Sequence, residues 1–187
     1  KTPLIYDGTL MMGVFQVQEE NPYGFNLKGE GINVGIWDDG AIGNHKDLPV
    51  NRNIVIDKNR SSLGFMYHTT EVAGCVGGSG NFFAPLRGTA PRSNMYYWDY
   101  IGDLVKEIYT SKNNYSIDIS NHSYNFASTN CFQSGLYIPE ASDLDKLVKE
   151  NPTLLPVVAV GNSASAACAS LSDTFSSVDI GFQGCKN

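Results

Sequence analysis

Short apolar runs alternate with longer stretches of helical periodicity along most of this chain. The pattern predicts short strands at residues 32–37, 53–56, 94–98, 117–121 and 155–160. It also predicts helices at residues 68–77, 100–112 and 139–150, where apolar residues recur at a spacing of three to four. Strands that alternate with helices require crossover connections. The sequence therefore predicts an α/β fold, with a doubly wound, mostly parallel sheet and helices on both faces.

The N-terminal residues differ from the rest of the chain. Residues 1–30 look irregular and are rich in turn formers, as in Glu20-Asn21-Pro22-Tyr23-Gly24. We expect residues 1–26 to form an arm that wraps the domain, and residues 27–187 to form the domain itself.

Composition narrows the classes of function. The 187 residues are 42% hydrophobic, which suits a packed core, and the formal net charge is −6. No cluster of Lys and Arg has the density of a phosphate-binding patch for nucleic acid, and no apolar run approaches the ~18–20 residues of a membrane span. We therefore expect neither a nucleic-acid partner nor a membrane span.

The four cysteines are not spaced as zinc ligands. Cys75 lies in a small, apolar stretch, which predicts a buried core thiol. Cys131, Cys168 and Cys185 lie in polar, loop-like sequence, where one disulfide is compatible with an exported protein. The pair Cys168–Cys185 is slightly favoured, but the other pairings stay open.

Three short motifs contain, in order, an acid, a base and an amide donor. These residues are Asp38, His68 and Asn162. Asp38 and Asn162 lie just beyond the carboxyl ends of predicted strands, which is where ligands bind in parallel sheets, and His68 opens a predicted helix. We therefore expect the three side chains to converge on one face of the sheet.

The motifs resemble those of the subtilisin-like serine peptidases. They are Ile36-Trp37-Asp38-Asp39-Gly40, His68-Thr69-Thr70-Glu71-Val72-Ala73-Gly74 and Val158-Ala159-Val160-Gly161-Asn162. The family's second motif reads His-Gly-Thr-His-Val-Ala-Gly. Asp39, Thr69 and Glu71 depart from the family pattern. The resemblance implies that Asp38 orients the base, that His68 is the general base, and that Asn162 stabilises the oxyanion.

Two further segments are similar to the family. They are Gly88-Thr89-Ala90-Pro91 and Asn121-His122-Ser123-Tyr124. The resemblance implies that Ser123, Tyr124 and Asn125 pair with the substrate backbone, and that Ala159, Val160 and Gly161 line the primary specificity pocket. His122 replaces an apolar residue of the family. We interpret it as a core or loop histidine in preference to a proton-transfer group.

The nucleophilic serine of the family's Gly-Thr-Ser-like motif is not found in these 187 residues. We expect a C-terminal chain or segment of the same precursor to supply it and to complete the sheet, with cleavage after Asn187 as the favoured origin of a separate chain. The resemblance then implies an extracellular or cell-envelope endopeptidase that hydrolyses protein or peptide substrates.

The expected chemistry needs no metal or other cofactor. Structural calcium is compatible with the family, but no ligands can be assigned from the sequence. Two alternatives remain. One is an inactive subtilisin-like binding or scaffolding module, which the departures at Asp39, Thr69 and Glu71 favour. The other is an unrelated doubly wound hydrolase that lacks a substrate-pairing edge.

Overall fold

The computed structural model describes residues 4–19, 24–40, 42–56, 67–124, 137 and 139–159. The chain divides into two compact units, Lys1–Tyr100 and Ile101–Asn187. Both units combine helices with parallel strands, which confirms the predicted α/β class with parallel pairing. None of the described helices is both long enough and apolar enough to cross a bilayer.

The first unit contains three parallel strands in the order β2-β3-β1. They are β1 (Asn33–Asp38), β2 (Asn53–Val55) and β3 (Asn94–Asp99). The register of β1 and β3 places Trp37 opposite Trp98 and Asp38 opposite Asp99. The two indole rings stack at 4.4 Å with an interplanar angle of 8°. As a result, two strands that both end in Trp-Asp are held side by side, with their acids at the same edge.

Helix α3 (Tyr67–Gly77) packs on β1 and β3. Its buried face consists of Thr69, Ala73 and Gly77, spaced four residues apart. At Gly77 the helix approaches the sheet so closely that an added Cβ would clash with the Met95 side chain. Cys75 lies off this face and is exposed, so the predicted core thiol was wrong. The error has a simple origin, because small residues surround Cys75 in sequence whereas the helical phase turns it outward.

The N-terminal arm is not irregular throughout, as the sequence had suggested. It contains the short helices α1 (Leu4–Met11) and α2 (Val14–Gln18), separated by Gly13 in a left-handed conformation. Tyr6 and Phe15 pack ring against ring at 5.3 Å. The buried Gln18 amide donates to the carbonyls of Gly88 and Thr89, at 2.8 and 3.0 Å. Helices this short gain little stability from helix propensity alone, so these tertiary contacts stabilise them. The sequence did not predict them because they have no apolar stripe of helical spacing.

The second unit contains two parallel strands and two helices. They are α4 (Leu104–Tyr115), β4 (Ile119–His122), α5 (Pro139–Glu150) and β5 (Leu155–Val158). Helix α4 begins four residues later than predicted because the Asp103 carboxylate accepts a hydrogen bond from the Lys106 amide and caps the first turn. It ends at Ser116, which adopts a left-handed conformation. The helix α5 has the predicted bounds.

Candidate active site

Asp38 is the last residue of β1 and is fully buried. Its Oδ1 accepts a hydrogen bond from the Asp39 amide at 2.7 Å, and its carbonyl accepts one from the Tyr100 amide at 3.2 Å. Both backbone contacts come from residues at the carboxyl ends of β1 and β3. The strand ends therefore fix the position of this carboxylate, as expected for a ligand-binding edge of a parallel sheet.

His68 is in the first turn of α3 and faces Asp38. Its Nδ1 lies 2.7 Å from Asp38 Oδ1, while 53% of its side chain is exposed. A carboxylate can only accept, so this contact places the imidazole proton on Nδ1 and leaves the Nε2 lone pair available. The pair thus combines a buried, oriented acid with a base that solvent or a substrate group can reach.

Thr69, the next residue on α3, is a part of this site that the sequence did not reveal. Its fully buried hydroxyl lies 3.2 Å from Asp38 Oδ1, 3.0 Å from the Asp39 carbonyl and 3.5 Å from the Gly40 carbonyl. A hydroxyl has one proton to donate, so these acceptors share it. Thr69 occupies the place of a glycine in the resembling motif, and it bonds the start of α3 to the strand end that carries the acid.

We expect Thr69→Val to weaken this link. Valine keeps the shape of threonine but removes the proton, which leaves a buried carbonyl without its donor and lowers the free energy of unfolding by about 1–3 kcal/mol. Urea denaturation measures the loss. Thr69→Ser retains the hydroxyl and is the control. A loss in Thr69→Ser with none in Thr69→Val would show that the methyl group, and not the hydrogen bond, stabilises the site.

The edge around Asp38 is acidic. Burial raises the pKa of the Tyr100 phenol, and the carboxylates of Asp39, Asp99 and Asp38 raise it further. Asp99 was not identified from the sequence as a neighbour of the site. The repeat of Trp-Asp at the end of two predicted strands is the sequence feature that indicates its position.

The remaining candidate residues belong to the second unit or lie outside the described residues. Ser123 and Tyr124 follow β4, and Ala159 follows β5 and donates its amide to the His122 carbonyl at 3.0 Å. These three residues therefore lie at the carboxyl ends of paired parallel strands. The Ser123 hydroxyl accepts a hydrogen bond from the side-chain amide of Asn121 at 2.8 Å. The candidates outside the described residues are Asn125, Val160, Gly161 and Asn162.

His122 is a buried histidine of the second unit, only 1% exposed. Its Nε2 lies 3.0 Å from the Ser120 hydroxyl and its Nδ1 lies 3.0 Å from the Tyr124 hydroxyl. Burial lowers its pKa to about 3. The ring is therefore neutral at pH 7 and bridges two hydroxyls, which agrees with a structural role and accounts for the orientation of Tyr124.

The low pKa of His122 makes stability depend on pH. Its folded-state pKa lies below the ~6.5 of an unfolded histidine, so its contribution is complete above pH 6.5 and is lost as pH falls towards 3. We expect this component to reach a slope of about 1.4 kcal/mol per pH unit. Urea denaturation from pH 7 to 4 should show a shallower slope for His122→Gln than for the parent. Parallel slopes for His122→Gln and the parent would contradict the assignment.

A metal site is absent from the described part of the chain, where no three His, Cys, Asp or Glu side chains are grouped to hold an ion. The disulfide candidates Cys131, Cys168 and Cys185 lie outside that part.

Comparisons with known proteins indicate the family of this chain and the solved structures that it resembles. The model of the subtilase family, peptidase S8, matches residues 29–179. Comparison with curated protein sequences finds no match. Among solved structures, the CspB protease of Clostridium perfringens is 19% identical, with a TM-score of 0.60, over 87% of this chain and 42% of that chain.

Two further structures are similar to this chain. MycP1 with its N-terminal propeptide removed is 16% identical, with a TM-score of 0.56, over 82% of this chain and 49% of that chain. The protease domain of PatA is 18% identical, with a TM-score of 0.50, over 74% of this chain and 53% of that chain. At these identities the likeness shows the fold, and the chain spans about half the length of the structures it matches. The family model covers most of the chain, and the chain therefore belongs to the subtilase family.

Proposed function

We propose that this chain is part of a serine endopeptidase in which Asp38 and His68 are two members of a catalytic triad. The observation that carries the proposal is the contact of 2.7 Å between His68 Nδ1 and the buried Asp38 carboxylate. It holds the imidazole in the tautomer that a general base requires. Family membership supports a peptidase, and the acid at the end of β1 and the base at the start of α3 have the chemistry that a triad needs.

In the proposed reaction a serine hydroxyl attacks the peptide carbonyl and gives its proton to His68 Nε2. Asp38 stabilises the imidazolium, which then protonates the leaving amine as the acyl-enzyme forms. Water hydrolyses the acyl-enzyme with His68 again as base. Asn162 donates to the oxyanion, where loss of one side-chain donor costs about 10²–10³ in rate in related enzymes. No step requires a metal.

Substrate recognition forms a second part of the proposal. Ser123, Tyr124 and Asn125 would pair with the backbone of an extended peptide, while Ala159, Val160 and Gly161 would line the primary pocket. The position of Ser123, Tyr124 and Ala159 at the carboxyl ends of β4 and β5 supports these roles.

The serine is proposed to lie in a C-terminal chain or segment of the same precursor. The sequence of 187 residues contains no Gly-Thr-Ser-like motif, and the chain covers only 42–53% of the proteases it matches. Leu155 and Val157 on β5 are 57% and 46% exposed, so this strand presents apolar surface that a further part of the domain could cover.

Labelling with a fluorophosphonate probe tests the proposal, because the probe reacts with activated serines. The whole protein, with every chain it contains, is labelled, resolved on a denaturing gel and mapped by peptide mass. We expect label on one serine outside residues 1–187, lost in His68→Ala and retained in His45→Ala, which removes an exposed histidine of the same unit. The gel also shows whether that serine is on a separate polypeptide.

Absence of label from a folded protein that contains the C-terminal segment would contradict the peptidase proposal. That result would favour the inactive binding module instead. Label that persists in His68→Ala would also contradict it, since the serine would then be activated by another base.

A further inference from the structure

A cavity of about 830 Å³ lies in the first unit, away from the acid and base. Three of its lining residues come just before the three strands. Arg52 directly precedes β2, Arg92 lies two residues before β3, and Lys28 lies five residues before β1. Asp38 is at the opposite end of β1, which is about 20 Å away for a six-residue strand. The cavity is thus at the amino ends of the strands and separate from the candidate active site.

The charge of the cavity is unlike that of the whole chain. Among the residues that the structure describes, its lining holds four cationic side chains and two carboxylates, although acidic residues outnumber basic ones by 19 to 13 overall. The cationic residues are Lys28, Arg52, Arg87 and Arg92, and the carboxylates are Glu19 and Glu30. The described lining therefore has an excess of two positive charges, in a chain with a net charge of −6.

Existing contacts hold Arg92 and Arg52 in place and leave some of their N–H donors unused. Arg92 Nη1 lies 2.8 Å from Glu30 Oε1, and Arg52 Nη1 donates to the Ser93 carbonyl at 2.9 Å. A guanidinium has five N–H donors, so each of these arginines retains others. The Arg87 side chain has no ion-pair partner among the described residues.

Two of the cations, Arg52 and Arg92, are also close enough to repel each other. Burial lowers the pKa of Arg52, Tyr97 opposes this effect, and the charge of Arg92 lowers it further. Grouping partly buried, like charges has a free-energy cost that a bound anion offsets. The arrangement therefore favours a counter-charge within the cavity.

We propose that this cavity binds a small dianion, of the class of a phosphate monoester or a dicarboxylate. An excess of two positive charges matches a ligand that carries about two negative charges, as a phosphate monoester does near neutral pH. Guanidinium groups bind phosphate and carboxylate through paired hydrogen bonds. The volume is within the range of small-molecule sites, about 300–1,000 Å³, and exceeds what a bare ion needs. Glu19 and Glu30 can accept hydrogen bonds from hydroxyl groups on the rest of the ligand.

Isothermal titration of the whole protein tests this site, in a buffer free of polyvalent anions. The probes are glycerol 2-phosphate, succinate and, as a monoanion, acetate. We expect saturable binding of a dianion with one site per chain, binding that weakens as NaCl is raised, and no saturable binding of acetate. The dianion that binds more tightly identifies the phosphate or the carboxylate source.

Variants connect the binding to the cavity. Arg87→Gln and Arg92→Gln are each expected to weaken dianion binding at least tenfold, while Arg87→Lys, which retains charge but not the paired donors, should lie between. Lys46→Gln removes an exposed cation of the same unit outside the cavity and is the matched control. His68→Ala should bind the dianion normally.

Two results would overturn the proposal. One is the absence of saturable binding to the folded parent protein. The other is binding that Arg87→Gln and Arg92→Gln leave intact, with circular dichroism showing that both are folded.

Discussion

Replacement of Asp38 by alanine is expected to lower kcat by about 10⁴-fold in the complete peptidase, with little change in KM. The magnitude is that of removing the acid from other serine-protease triads. The physical reason is specific to this site, because Asp38 Oδ1 is the atom that holds His68 Nδ1 at 2.7 Å. Loss of the carboxylate frees the imidazole to rotate and removes the charge that stabilises the imidazolium. Steady-state hydrolysis of a peptide substrate measures both parameters.

Asparagine at position 38 should cost less activity than alanine. The Asp39 amide and the Thr69 hydroxyl both donate to Oδ1, so they would hold the carbonyl oxygen of an asparagine in the same place. That oxygen would still accept from His68 Nδ1, and only the charge would be lost. The amide nitrogen would replace Oδ2, which is buried without a partner in the described part of the chain. Some loss of stability is therefore expected as well.

A matched control exists at Asp47, another buried acid of the same unit. Its Oδ1 accepts from the Ser79 hydroxyl and the Phe82 amide, both at 3.0 Å. Asp47→Asn should lower stability and leave kcat of the folded fraction close to the parent value. A loss of kcat in Asp47→Asn as large as in Asp38→Ala would mean that general destabilisation, and not the triad, explains both variants.

Replacement of Trp37 by alanine is expected to lower the free energy of unfolding by about 3–5 kcal/mol, the usual cost of truncating a buried aromatic side chain. Trp37 is fully buried in β1, and its ring stacks on Trp98 of β3. The free energy of unfolding of a domain is only about 5–15 kcal/mol, so this single change removes a large part of it. Urea denaturation of the complete protein gives the value.

The contribution of the stack itself can be separated by a double-mutant cycle. Trp37→Ala, Trp98→Ala and the double variant should show a coupling of about 0.5–1.5 kcal/mol beyond the loss of buried area. Phe25→Ala truncates an aromatic residue that is 72% exposed in the same unit, and it should change stability by less than about 0.5 kcal/mol. Additive effects at Trp37 and Trp98 would show that burial alone accounts for the two residues.

The sequence predicted the strands and the long helices because each has a local periodic signal. The helix α5 was predicted with its correct bounds, and β1 and β3 were displaced by one residue at most. The helices α1 and α2 were missed because they are short and depend on contacts such as that of Gln18 with the chain 70 residues away. Local sequence carries no record of such contacts.

The candidate site was predictable in part for the same reason. Asp38 and His68 follow from their places at a strand end and a helix start, whereas the sequence marks Thr69 only as a departure from a glycine. Its bonds to the Asp39 and Gly40 carbonyls depend on how α3 is set against β1, which no spacing in the sequence encodes. The sequence wrongly predicted that Cys75 is buried, because its burial depends on the rotation of the same helix about its axis.

The close approach of Gly77 to Met95 has a consequence for the base at the other end of α3. Gly77 is nine residues after His68, which is about 14 Å along the helix axis. A side chain at Gly77 would meet the Sδ and Cε atoms of Met95, so either the end of the Met95 side chain or the helix that carries the imidazole would have to shift. The size of the residue at position 77 therefore bears on how closely α3, with the base in its first turn, packs on the sheet that carries the acid.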